Sequence, residues 1–91
     1  MEKTILKLLD RTEKILRKHL NEEYYIDDVS WGERGFIIRI FKYILKPYPI
    51  VPKADYMFLY DEEDEYSLSE QYREWFKETV MNMKELGILR G

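Results

Sequence analysis

One run limits the fold more than any other part of the chain: Phe36-Ile37-Ile38-Arg39-Ile40-Phe41-Lys42-Tyr43-Ile44-Leu45. Eight of its ten residues are apolar or aromatic, and none is Gly or Pro. Gly35 and Pro47 bound it tightly, which suits a strand better than a helix. Such a run fits a central strand, buried on one face and largely covered on the other. The other segments are read as elements laid against it.

Tyr24 to Trp31 reads as the preceding strand, joined to the run by Gly32-Glu33-Arg34-Gly35. Two glycines in a four-residue connection suit a tight hairpin. Closing it symmetrically pairs Trp31 with Phe36, and facing residues then share a side of the sheet. One side carries Trp31, Val29 and Tyr25 against Phe36, Ile38, Ile40 and Lys42, with Asp27 intruding, and is assigned to the core. The other pairs Asp28 with Arg39, Ile26 with Phe41 and Tyr24 with Tyr43. A slip of one residue would exchange the sides.

Residues 2–20 read as an amphipathic helix, with Ile5, Leu8, Leu9, Thr12, Ile15, Leu16 and Leu20 at helical spacing. Lys3, Lys7, Arg11, Lys14 and Lys18 form a basic stripe nearly opposite. It is either a solvated face, with Asp10–Lys14 and Glu13–Arg17 as i,i+4 pairs, or a phosphate-binding ridge. The solvated face is the expectation.

Lys46 to Lys53 holds Pro47, Pro49 and Pro52, which favours an extended crossover without ladder donors. Lys46-x-x-Pro49-x-x-Pro52 also has the spacing of a peptide for proline-reading domains, a rarer use than a stiff connector. Asp55 to Tyr60 reads as a third strand, with Tyr56, Phe58 and Tyr60 on one side and Met57 and Leu59 on the other. The five acids Asp61 to Glu65 should be solvated; they lack the glycine and the terminal Glu of a calcium loop. Ser67-Leu68-Ser69-Glu70 is a capping box opening a last helix with an apolar stripe of Leu68, Tyr72, Trp75, Phe76, Thr79, Val80, Met83 and Leu86. Gly87 stands where a left-handed cap is wanted, with Ile88 able to fold back on Met83.

The expected fold is therefore α+β: a single domain over 1–91, α-β-β-β-α, with a three-stranded antiparallel sheet in order 1-2-3 and two helices packed on one face. Strand two is central because it shares a hairpin with strand one and is the most apolar. With no cysteine among 91 residues, disulfides and thiolate metal sites are excluded. No signal peptide and no bilayer-length apolar stretch are seen, so a cytoplasmic protein without membrane partners is expected. Abundant Lys, Glu, Ile and Tyr with a lone Gln71 lean towards a thermophile. The net charge of −3 divides unevenly: residues 1–53 carry 11 bases and 8 acids, and residues 54–91 carry 4 and 10.

No reaction is written in the sequence. His19 is the sole histidine, and no Ser, Cys or acid is placed beside it as a nucleophile or ligand set. Asp27-Asp28 lacks the further acids and lysine of a metal nuclease. No glycine-rich phosphate loop exists. A non-catalytic role without cofactor or metal is expected. The element order is shared with double-stranded-RNA-binding domains, which grip phosphate with lysines at the start of the last helix. Here Asp61 to Glu70 carries six acids and no base, which would repel RNA.

With both helices on one face, the other side of the sheet is left open, and this reading places Tyr24, Arg39, Phe41, Tyr43, Tyr56, Phe58 and Tyr60 there. Aromatic residues and Arg dominate binding hot spots, and monomers seldom leave large apolar patches bare. The expected partner is another protein or a second copy of the chain, with an isologous dimer preferred. Nucleic acid is the alternative, held by base stacking on these rings or by Lys3, Lys7, Arg11, Lys14 and Lys18.

Overall fold

The computed structural model describes residues 2–43 and 52–91. Ile44, Leu45 and the proline-rich segment as far as Val51 lie outside the described residues, and with them the expected end of strand two and most of the proposed proline motif. The elements are α1 (Glu2–His19), β1 (Tyr24–Trp31), β2 (Gly35–Lys42), β3 (Pro52–Leu59) and α2 (Leu68–Glu85). The strands form one antiparallel sheet in order β1-β2-β3. The α-β-β-β-α order and the central place of β2 agree with the sequence reading.

Both helices cover the same face. Ile5, Leu9 and Leu16 of α1 and Tyr72 and Met83 of α2 share one buried cluster with Ile26, Phe36, Ile38, Ile40 and Phe58 of the sheet. Where the helices meet, the hydroxyls of buried Thr12 and Tyr72 lie 2.6 Å apart, and Thr12 Oγ1 donates onward to the Leu8 carbonyl. That chain satisfies two polar groups that would otherwise be stranded in the core.

The ends of α2 follow local chemistry. Ser67 is the N-cap and accepts from the Glu70 amide. Among the described residues the Glu70 side chain makes no return bond, so only half of the expected capping box is present. At the other end Gly87 has φ of 74°, Ile88 N–H donates to the Met83 carbonyl at 2.8 Å and Gly87 N–H to that of Lys84 at 3.1 Å. This is the expected Schellman closure, and it buries Ile88 against the core. Leu86, expected on the apolar stripe, is the C-cap residue and is exposed.

Two irregularities set the faces of the sheet. From Trp31↔Phe36 to Asp28↔Arg39 the β1–β2 pairing is the symmetric register read from the hairpin. A bulge between Ile26 and Asp28 then shifts it, giving Ile26↔Ile40, Tyr25↔Phe41 and Tyr24↔Lys42. One extra residue re-aims everything beyond it. Ile26 and Tyr24 therefore enter the core, and Tyr25, expected there, turns outward. Trp31 is on the core-facing side, but it sits at the strand end and is exposed.

The second irregularity lies between β2 and β3, where Ile40 pairs with Ala54 and Phe41 with Pro52. Pro52 and Lys53 thus belong to β3 rather than to the connector. Proline is tolerated here because it opens an edge strand. On the regular part of this ladder Phe36 faces Phe58 and Ile38 faces Tyr56. The close approach of the strands also explains Gly35, where a Cβ would fall 1.9 Å from the Phe58 carbonyl oxygen.

Candidate functional site

The helix-free face of the sheet carries Ile37, Arg39 and Phe41 of β2 and Asp55, Met57 and Leu59 of β3. Ile37 faces Met57, and Arg39 faces Asp55. Met57 and Leu59 are 57% and 63% exposed and Tyr43 is 52% exposed, the values that distinguish this side from the core side. Three zones follow along the strands. An aliphatic zone holds Ile37, Met57 and Leu59. An aromatic zone holds Tyr25, Phe41 and Tyr43, with Tyr25 4.4 Å from the Tyr43 ring centre and 5.7 Å from that of Phe41.

Between them lies a charged zone. The Arg39 guanidinium forms a two-pronged pair with Asp55, Nε to Oδ1 at 2.8 Å and Nη2 to Oδ2 at 3.1 Å. The guanidinium bonds hold the Asp55 carboxyl below its usual range, and Asp55 with Asp28 and Asp27 pushes Arg39 upward. Burial, and secondarily the charge of Asp27, raises the Tyr25 hydroxyl. Asp28 is opposite Arg39, as expected, but the hydrogen-bonded partner is Asp55 on the other neighbouring strand. The described side chains of this zone supply three carboxylates to one guanidinium.

Several residues expected on this face lie elsewhere. Tyr24 is buried on the core side, below Lys42, whose Nζ sits 5.8 Å from its ring centre. Phe58 is 2% exposed and packs on Phe36, Tyr72 and Trp75 at 5.5 to 5.7 Å between ring centres. Tyr56 and Tyr60 also pack against the core, half-buried. Tyr56 donates to Asn82 of α2 at 2.8 Å, and burial raises its hydroxyl. Tyr24 is turned inward by the β1 bulge, and the other three by an inversion of strand three, which presents Met57 and Leu59 outward rather than the aromatic row. Of the seven residues, Arg39, Phe41 and Tyr43 are on the open face. Tyr25, Met57 and Leu59, expected on the core side, join them, as does Ile37, which alternation with Phe36 and Ile38 already placed on this side.

The basic stripe of α1 is on the other side of the molecule. Lys3, Lys7, Arg11, Lys14 and Lys18 are all exposed. Lys14 pairs with Asp10 at 3.0 Å, and Arg17 with Glu13 at 3.3 Å, the two i,i+4 pairs read from the sequence. α1 lies between this stripe and the sheet, so the basic and aromatic surfaces do not form one site. Among the described residues no three His, Cys, Asp or Glu side chains converge as a metal set, and no helix is long and apolar enough to cross a membrane.

The chain matches no protein-family model, no curated protein and no solved structure. The open sheet face thus rests on its own geometry: apolar area at both ends and an ion pair between.

Proposed function

We propose that this chain is a non-catalytic, cytoplasmic protein that acts by protein–protein association through the helix-free face of its sheet. The observation that carries the reading is the exposure of Ile37, Met57 and Leu59 side by side on a face that neither helix covers. Contiguous apolar area of this kind marks an interface.

A second copy of the chain suits the surface. A two-fold axis running parallel to the strands, between β2 and β3, lays β2 of one copy over β3 of the other. Arg39 then meets Asp55 of the other copy, and the Ile37 zone meets the Met57 zone, repeating between chains the pairs already made within one. Three strands of eight residues span roughly 14 by 26 Å, well below the ~800 Å² per partner of a standard interface. The dimer is therefore expected to be micromolar rather than tight. The three carboxylates around Arg39 count against stacked bases as the occupant, since phosphate would meet net negative charge.

Concentration-dependent amide NMR tests this. Between about 20 μM and 1 mM, shifts confined to Ile37, Arg39, Met57 and Leu59 are expected. Shifts confined to the helices, or none, would end this reading.

A further inference from the structure

A second surface lies on the opposite side of the molecule, and it is independent of the sheet face. Arg11, Ile15 and His19 of α1 fall at i,i+4 spacing, as do Ser69, Arg73 and the pairs Phe76–Val80 and Val80–Lys84 of α2, so each set forms one stripe on its helix. The two stripes face each other. A cavity of about 190 Å³ lies between them at the Leu8 and Ser69 end, and one of about 340 Å³ at the His19 and Lys84 end. Ile15 and Phe76 line both, so the two form one groove, and no strand residue lines either.

The floor and rims of the groove differ in chemistry. Ile15, Phe76, Val80 and Leu89 make an apolar floor. Arg11 and Arg73 stand at one end, and His19, Lys84 and Arg90 at the other. No Asp or Glu lines it. All five basic side chains belong to exposed residues, and among the described residues none forms a salt bridge. All the acids of the chain are among the described residues. Arg90 is held in place, since its guanidinium donates to the Lys18 carbonyl at the end of α1 and its amide to that of His19 at 2.8 Å. A chain of net charge −3 thus keeps an apolar groove lined by five basic side chains and by no Asp or Glu side chain.

We infer that this groove between α1 and α2 docks an amphipathic segment of a partner protein, apolar along one side and flanked by Asp or Glu. From Leu8 to His19 the groove runs about 17 Å at 1.5 Å per residue, the length of three helical turns. An amphipathic helix in an apolar groove is a recurring mode of peptide recognition. Bases at both ends match a partner with acids along its length, whereas a fatty acid carries one charge at one end. A concave site also does not fit a flat bilayer surface.

The test uses the full chain and a fluorescein-labelled peptide of about 14 residues, with Leu at helical spacing and Glu on both flanks. A twin with Lys for Glu is the control. Fluorescence anisotropy should show saturable one-to-one binding of the Glu peptide, at least about tenfold tighter than the Lys twin and weakened by salt. Arg73→Glu with Lys84→Glu should lower affinity about tenfold or more, while Leu59→Lys on the sheet face leaves it unchanged. Circular dichroism checks that each variant folds. If the double variant does not, amide shifts of the wild-type chain at Ile15, Phe76 and Val80 decide the location. Equal binding of both peptides, or shifts elsewhere, would overturn the inference. So would binding of dodecanoate or a short oligouridylate in the groove with no peptide binding. Self-association abolished by the same charge reversals would also overturn it, pointing to the acidic run Asp61 to Glu65 of a second copy as the occupant.

Discussion

Phe58 and Leu59 are neighbours in β3 with opposite fates, and truncating each to Ala measures which side of the strand is core. Phe58 is 2% exposed and ringed by Phe36, Tyr72 and Trp75, whereas Leu59 is 63% exposed. Removing a buried phenyl group costs about 3–5 kcal/mol, since the lost transfer energy is joined by that of the cavity left behind. Part of that is the loss of aromatic pairs worth about 0.5–1.5 kcal/mol each. Leu59→Ala on a solvated face should stay within about 0.5 kcal/mol. For a domain of this size 1 kcal/mol moves Tm by roughly 4–8 °C, so Phe58→Ala should melt at least 12 °C or so lower. Urea titration followed by Trp fluorescence reads the difference, because Trp75 lies 5.5 Å from the Phe58 ring. Equal losses, or a larger loss for Leu59→Ala, would refute the assignment of the two faces.

Other outcomes follow from single sites. Gly35→Ala should destabilise by about 1–3 kcal/mol, because the new Cβ meets the Phe58 carbonyl oxygen at 1.9 Å; Gly32→Ala, with nothing within 4 Å, should be near neutral by urea titration. Thr12→Val leaves the buried Tyr72 hydroxyl without its partner and should cost about 1–3 kcal/mol, part of it recovered in the Thr12→Val/Tyr72→Phe double variant. Burial raises the Tyr72 hydroxyl above its ordinary value. The stability this contributes is fully present below the unfolded value near pH 10 and is lost as pH rises through the higher folded value. Alkaline melts should therefore fall less steeply in Tyr72→Phe.

The helix ends and the central strand are legible in the sequence because each is fixed by local chemistry: Ser67 and Gly87 at the ends of α2, and the apolar run bounded by Gly35. The faces of the outer strands are not, because both sides of β3 are apolar. Tyr56 and Phe58 on one side and Met57 and Leu59 on the other give no amphipathic period, so cross-strand register alone decides. That register, with Phe36 opposite Phe58 and Ile38 opposite Tyr56, follows a long connection rather than a tight hairpin, so no turn closure announces it. The bulge in β1 did leave a mark. Asp27 falls on the core side of an unbroken strand, and an acid there is a sign that the alternation fails at that residue. Taking it so moves Tyr24 inward and Tyr25 outward, as observed. The inter-helix groove needed the fold, since Arg11 and Arg73 lie on separate helices that only packing brings together.

Whether the open sheet face joins two copies is tested most directly by light scattering after size exclusion, from about 10 μM to 1 mM. The wild-type mass should rise from 11.2 kDa towards twice that value. Met57→Lys should remain monomeric throughout with an unchanged melting temperature, because it places charge on an exposed, apolar contact. A wild-type chain that stays at 11.2 kDa at the highest concentration, or a Met57→Lys variant that dimerises as well as wild type, would contradict self-association through this face.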